Sequence, residues 1–179
     1  MSFRLAGSLF GAALLAMGTA TALLLPRWPA AGKVLPRERI VGAMLGVLCL
    51  IWSAHEAAPL LEESLAGYRR LLPYLVVVIG VLGILFLDYL FTRAVGGVLL
   101  LSIVWLLHQA FASHAPVRWL FAIVCYLLAI GGMFMIGSPW RFRDLLQRAA
   151  AEPRPRWIAA GCLLASGLVS LVVALGTRA

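Results

Sequence analysis

The sequence predicts an all-α membrane protein, built as one bundle of about six transmembrane helices. Of its 179 residues, 63% are hydrophobic and only 12% are charged, whereas soluble domains carry about 25% charged residues. The mean hydropathy is +1.00 over the whole chain, and a soluble domain of this size has too small an interior to hide so much apolar surface. The charges collect in short segments between apolar runs. The bilayer is therefore the expected solvent.

Six apolar runs are long enough to count as transmembrane helices. A spanning helix needs about 20 mostly apolar residues, because its backbone polar groups must be paired internally across a ~30 Å hydrocarbon layer. The first run ends in Ala20-Thr21-Ala22, which imitates a signal-peptide cleavage site. Because the run itself is long enough to span, we expect a retained helix and a single integral membrane domain over residues 1–179. The predicted spans cover residues 5–26, 38–57, 71–91, 94–115, 118–140 and 156–177.

Two connections between these runs have amphipathic patterns. Residues 56–70 place leucines and a tyrosine at helical spacing among charged residues, which is typical of a helix lying along the outer surface. Residues 141–148, RFRDLLQR, have a similar pattern on the inner side. Basic residues near anionic headgroups contribute about 1 kcal/mol each. For both segments the alternative is a solvated loop.

The distribution of basic residues predicts the orientation, because Lys and Arg in short loops prefer the cytoplasmic side. With the N-terminus outside, the non-cytoplasmic side holds only five basic residues: Arg4, Arg69, Arg70, Arg118 and Arg178. We therefore predict a bacterial inner-membrane protein with both termini in the periplasm. Since the charge follows this membrane pattern, the net charge of +8 does not indicate nucleic-acid binding. With the N-terminus outside, the cytoplasmic side holds Arg27, Lys33, Arg37, Arg39, Arg93, Arg141, Arg143, Arg148, Arg154 and Arg156.

Aromatic and small residues predict how the helices sit and pack. Tryptophans at the ends of the runs are expected to anchor the spans at the headgroup level. These anchors are Trp28, Trp119, Trp140 and Trp157. Small residues spaced along a helix allow another helix to approach closely, either within the bundle or on a partner. The predicted packing glycines are Gly7, Gly11, Gly42, Gly46, Gly96, Gly97, Gly131 and Gly132.

An internal similarity indicates a duplicated hairpin. The segment LCLIWSAHEA at residues 48–57 matches LSIVWLLHQA at residues 101–110. Arg39 with the Val-Gly pair after it similarly matches Arg93 with its own Val-Gly, one residue out of step. If the duplication is real, the second and third spans repeat the fourth and fifth in parallel orientation. The alternative is chance similarity between apolar sequences.

His55 and His108 are the candidate ligands for a cofactor. Each lies one helical turn beyond a tryptophan, and the predicted topology puts both at a similar depth on the outer side. Two histidines on neighbouring helices are the arrangement that binds haem b or a metal ion. The alternative, which we prefer, is that both rings lie in the interface and bind no cofactor. The acidic residues near the second span, Glu56, Glu62 and Glu63, are likewise expected to be solvated, although with the histidines they would suit an external cation.

The sequence does not predict an enzyme. It has no GxSxG, HExxH, Walker loop or dinucleotide fingerprint. No carboxylate falls in the middle of a predicted span, which argues against a proton-coupled pump. We expect a non-catalytic subunit, assembly factor or scaffold of a larger membrane complex, in contact with lipid and with other subunits or a second copy. The alternatives are a small-solute or ion transporter component and a haem-binding electron-transfer subunit.

Overall fold

The structure, a computed structural model, describes residues 3–28, 34, 38–64, 70–114 and 117–177, with the backbone alone described for residues 60–64. All seven elements in these ranges are helices, and no strand occurs among them. They are α1 (Phe3–Leu23), α2 (Arg39–Ser64), α3 (Leu72–Phe86), α4 (Leu90–Ala112), α5 (Arg118–Gly137), α6 (Pro139–Ala151) and α7 (Pro153–Gly176).

Five of these helices, α1, α2, α4, α5 and α7, are long and apolar enough to cross a membrane. The predicted class, a helical membrane bundle, is therefore confirmed. The remaining apolar helix, α3, has 15 residues and extends about 22 Å at 1.5 Å per residue. It is thus shorter than the hydrocarbon layer of a typical bilayer.

Three helix boundaries differ from the prediction by four residues or more: α2 ends later than residue 57, α3 ends at Phe86 before residue 91, and α4 starts earlier than residue 94. Helix α2 continues to Ser64, with Pro59 inside it, so the first part of the expected surface segment 56–70 is an extension of α2. Residues 65–69 lie outside the described residues. Proline removes one backbone N–H from the helix ladder, which leaves the carbonyl of His55, four residues earlier, without that donor. The prediction started the fourth span at residue 94, after Arg93. Helix α4 instead starts at Leu90 and includes Thr92 and Arg93 in its first turn.

The predicted inner segment is a helix, α6. Its first residue is Pro139, and only Ser138 separates it from α5. Glu152 alone separates it from α7, which also begins with a proline. Proline suits the first turn of a helix because its missing N–H has no partner there. The chain therefore changes direction abruptly on both sides of α6.

Glycines mark the closest helix contacts and show the helix directions. The α1–α7 pair, which has the most extensive contact, is antiparallel: Gly7 lies against Ala174 and Gly11 against Gly167. Helices α4 and α5 are also antiparallel, with Gly96 against Gly132 at their crossing. Helices α2 and α4, in contrast, run in the same direction. Gly42 lies beside Phe91, and Cys49 lies beside Gly97.

A small core joins the α1–α7 pair to the α4–α5 pair. The Phe3 and Phe121 rings meet edge to face, with centroids 5.5 Å apart and an interplanar angle of 81°. Such aromatic pairs contribute about 0.5–1.5 kcal/mol beyond the area they bury. Most large apolar side chains elsewhere are exposed, as expected for a surface that contacts lipid. The remaining buried members of this core are Ala6, Ile103, Leu106, Ala110, Cys125, Val173 and Ala174.

The parallel α2–α4 contact has a different register from the sequence similarity between these helices. The similarity aligns Gly42 with Gly96, but in the structure Gly42 lies beside Phe91. Five residues of helix correspond to about 7 Å along the axis. The similar residues are therefore not side by side, and the duplication stays a prediction.

Candidate functional site at the basic end of the bundle

Most described arginines lie at one end of the bundle, called here the basic end. The end of α1, the starts of α2, α4 and α7, and the whole of α6 meet there, as their glycine contacts show. The opposite end has only Arg4, Arg70 and Arg118 among the described residues. The described arginines that are predicted to be cytoplasmic therefore all lie at the basic end. The arginines at the basic end are Arg27, Arg39, Arg93, Arg141, Arg143, Arg148, Arg154 and Arg156.

Arg143 connects α6 to the turn between α3 and α4. Its Nη1 donates a hydrogen bond of 2.7 Å to the Tyr89 hydroxyl, and its Nε and Nη2 donate bonds of 2.9 and 2.7 Å to Asp144 Oδ1. These bonds, chiefly the one to Asp144, raise the pKa of Arg143 above its usual range, so the guanidinium stays charged. Tyr89 adopts a left-handed backbone conformation with φ of 58°, which is uncommon for a bulky residue. It caps the start of α4 and is the last of the three residues between α3 and α4.

A groove of about 720 Å³ runs between α5 and α6 at the basic end. Its α5 wall is apolar, and its α6 wall carries charged residues. The Arg141 guanidinium lies 5.8 Å from the Phe134 ring centroid, a distance at which a cation is attracted by an aromatic face. The groove therefore has an apolar part beside a cationic part. Its lining residues are Leu127, Ile130, Gly131, Phe134, Met135, Arg141, Phe142, Asp144, Leu145 and Arg148.

A second, narrower cleft of about 230 Å³ separates α3 from α4 and has α2 as its floor. Its lining is almost entirely apolar and is rich in small residues, including Gly46, Gly80, Gly83 and Gly97. Arg93 is the charged residue in the lining. Its Nε is buried and has no hydrogen-bond partner in the described part of the chain.

Two further buried groups near the basic end have no hydrogen-bond partner within the described residues. They are the hydroxyl of Thr92, which is fully buried in the first turn of α4, and Nε of Arg156 in the first turn of α7. Buried polar groups in proteins are normally paired. Such groups can bind water or an oxygen of a ligand.

The two candidate histidine ligands lie on different faces. Gly46 of α2 faces α4, with a Cβ built there 4.0 Å from Ala94. His55 follows nine residues later, about two and a half turns, and so lies on the opposite face of α2. His108 follows Gly97 by about three turns and lies on the face of α4 toward α2. Both are exposed. The structure does not bring them together across the α2–α4 contact, and the haem or metal site stays a prediction.

The surroundings of His55 are those of an interfacial residue. Trp52 Nε1 donates a 3.2 Å hydrogen bond to Glu56 Oε1, one turn further along α2. The side chains of Glu62 and Glu63 lie outside the described residues. In the part of the chain that is described, no three His, Cys, Asp or Glu residues gather as metal ligands. His114 is exposed at the end of α4.

The four predicted tryptophan anchors are all exposed near the ends of helices. Trp28 follows α1. The other three lie near the starts of α5, α6 and α7, in that order: Trp119, Trp140 and Trp157. Their exposed fractions range from 48% for Trp140 to 72% for Trp28. Three of them are at the basic end, and Trp119 is at the other. These positions suit an amphipathic ring at each membrane surface.

The predicted packing glycines fall into two groups. At six of them an added Cβ would lie within 3.2 Å of another helix or its side chains, so these glycines permit close approach. Gly46 has ordinary spacing, with its nearest neighbours at 4.0 Å, and Gly131 faces open space in the α5–α6 groove. Gly131 therefore does not have the packing contact expected of it. The six close glycines are Gly7, Gly11, Gly42, Gly96, Gly97 and Gly132.

Comparison of the chain with protein-family models, with curated proteins and with solved structures gives no match.

Proposed function

We propose that this protein is a non-catalytic integral membrane subunit, assembly factor or scaffold of a larger membrane protein complex. The observation that carries the proposal is the weak attachment of α3. This helix packs mainly on α2, and most of its large side chains are exposed, from 42% at Ile84 to 79% at Phe86. The α2–α3 edge of the bundle is therefore the surface that we assign to a partner helix.

The lining of the cleft beside α3 supports a protein partner. Lipid chains gain little from small residues, whereas helices use them to approach one another closely. Added Cβ atoms at Gly80 and Gly83 would have their nearest neighbours at 3.7 and 3.4 Å, which is ordinary contact. At the α1–α7 crossing the equivalent distances are 2.9 Å. Even at these buried glycines α3 is thus held more loosely than α1 and α7 hold each other, and a partner helix on the exposed faces of α3 would strengthen its attachment.

The proposed topology has six spans, with α3 as the third. Because α2 and α4 run in the same direction, the chain must return across the bilayer between them, and α3 is the helix available for this. The antiparallel α1–α7 pair agrees with an even number of spans. A short span is accommodated by local bilayer thinning or by partner helices. With the basic end in the cytoplasm of a bacterium, both termini are periplasmic.

The test is purification from the native membrane in mild detergent, followed by mass spectrometry and a visible spectrum. We expect a stoichiometric partner and no chromophore. Val77→Trp, a bulky change at a residue of α3 that is 64% exposed, should remove the partner from a protein that remains monodisperse. Val172→Trp is the matched control, since Val172 lies on α7 and is 63% exposed.

Purification of the wild-type protein alone, or retention of the partner by Val77→Trp, would contradict the proposal. A Soret band that disappears on replacing His108 would instead support the haem-binding alternative.

A transporter component is the second candidate, and Arg93 is the observation that favours it. Its partly buried guanidinium lines the otherwise apolar cleft where the cleft reaches the basic end, and a charged group facing the interior of a membrane bundle is a candidate for a solute pathway. Anion flux in proteoliposomes that Arg93→Gln abolishes would favour this candidate over the subunit proposal.

A further inference from the structure

We propose that the groove between α5 and α6 binds one anionic phospholipid, with an acyl chain along α5 and the phosphate at Arg141 and Arg148. This inference is independent of the partner surface on α2 and α3. It depends on the groove's shape, on the charges along one wall and on the direction in which the groove runs.

The apolar part of the groove follows α5 away from its basic end. Leu127, Ile130 and Phe134 lie on this wall with exposed fractions of 64%, 58% and 48%. Residues 127 to 135 extend over about 12 Å of helix. Gly131 lies within this stretch and leaves the wall open, because a Cβ there would meet nothing within 4 Å. An extended hydrocarbon chain fits a groove of this kind.

The cationic part lies on α6, where the groove reaches the basic end. Residues 141, 145 and 148 share one face of the helix, since they are separated by four and three positions. Arg141 and Arg148 are exposed, and neither pairs with a carboxylate in the described part of the chain. The groove's own carboxylate, Asp144, is already bound by Arg143 at 2.7 Å. The two free guanidiniums therefore remain available to an anion.

The arrangement selects an amphiphile. A phosphate ester accepts charge-assisted hydrogen bonds from arginine, often two from one guanidinium. The Arg141 side chain, placed over Phe134 at 5.8 Å, lies at the boundary between the apolar and cationic parts. The α6 sequence PWRFRDLLQRAAA has three arginines and one aspartate, for a net charge of two positive. A lipid with an anionic headgroup complements both parts, whereas free phosphate would use the arginines alone.

The experiment is native mass spectrometry of the full chain after delipidation and addition of phosphatidylglycerol or phosphatidylcholine. We expect one retained phosphatidylglycerol and at least tenfold weaker binding of phosphatidylcholine. Arg141→Gln with Arg148→Gln should weaken phosphatidylglycerol binding about tenfold or more, as loss of a charge-assisted hydrogen bond predicts. Gly131→Leu should weaken it similarly by filling the apolar part.

Two matched controls separate the groove from general effects. Arg154→Gln removes an exposed charge from the same end of the bundle, and Gly161→Leu adds the same side chain at an open position on α7. Both should bind phosphatidylglycerol like the wild type. Three results would overturn the proposal: equal retention of the two lipids, normal binding by Gly131→Leu, or displacement of the lipid by millimolar inorganic phosphate.

Discussion

Gly11→Ala is expected to lower the free energy of unfolding by about 2 kcal/mol, within the ~1–3 kcal/mol range of overpacking substitutions. The added Cβ would lie 2.9 Å from the Gly167 carbonyl oxygen and 3.0 Å from the Leu171 backbone nitrogen. Both are backbone atoms of α7, so the clash cannot be relieved by rotating a side chain. Relief requires the two helices to separate along their most extensive contact. Gly167→Ala should have a similar effect, because its Cβ would lie 2.9 Å from the Gly11 carbonyl oxygen.

Reversible unfolding in mixed micelles measures this effect, with Gly161→Ala on α7 as the control. At Gly161 an added methyl group meets nothing within 4 Å, and alanine is the better helix former by up to about 1 kcal/mol. The control should therefore unfold at the wild-type concentration of denaturing detergent or slightly above it. Equal stability of Gly11→Ala and Gly161→Ala would show that the α1–α7 crossing is looser than described.

Gly42→Ala should destabilise the α2–α4 contact by about 3 kcal/mol, at the upper end of the overpacking range. Its Cβ would lie 2.6 Å from the Phe91 backbone nitrogen and 2.9 Å from the Phe91 Cα, closer than at any other described glycine. Because α3 packs mainly on α2, displacement of α2 should loosen the whole α2–α3 hairpin. Gly46→Ala, one turn away with its nearest neighbours at 4.0 Å, is the matched control.

The rate of maleimide labelling at Cys49 measures this loosening directly. Cys49 is half-buried beside Gly97, and Cys162 is exposed, so the measurement uses a Cys162→Ser background. Faster labelling in Gly42→Ala, with unchanged labelling in Gly46→Ala, is the expected result. Identical rates in the two variants would contradict the described crossing.

The fold class could be predicted from the sequence because the bilayer imposes length and hydropathy on every spanning segment. The sequence could not show which face of each helix packs against its neighbours. Helix α4 is apolar on all sides, since lipid and protein interior favour the same side chains, and no periodic stripe marks its buried face. Gly18 of α1 and Gly167 of α7 are not among the predicted packing residues, because both of these helices are also apolar over most of their surface. A search for small residues seven positions apart on the last span would have found Gly167, which lies midway between Ala160 and Ala174.

For the candidate site too, the sequence predicts how deep in the membrane a residue lies but not which way its side chain faces. The sequence could place the arginines at one membrane surface, because successive loops lie on opposite sides of the membrane. It could not show that α5 and α6 leave a groove between them, since Gly131 looks like any other packing glycine until its surroundings are known. The histidines are a second example. Their positions predict a similar depth, but helical phase turns His55 away from α4.

Labelling of single cysteines with a membrane-impermeant maleimide tests most directly whether α3 crosses the membrane. In a chain without its native cysteines, Leu71→Cys and Asp88→Cys place thiols at the two exposed ends of α3. Ser113→Cys and Glu152→Cys mark the two sides of the membrane as controls. The proposed topology predicts labelling of Leu71→Cys and Ser113→Cys from the periplasm, and of Asp88→Cys and Glu152→Cys only after permeabilisation. Labelling of both α3 ends from the same side would contradict the six-span account.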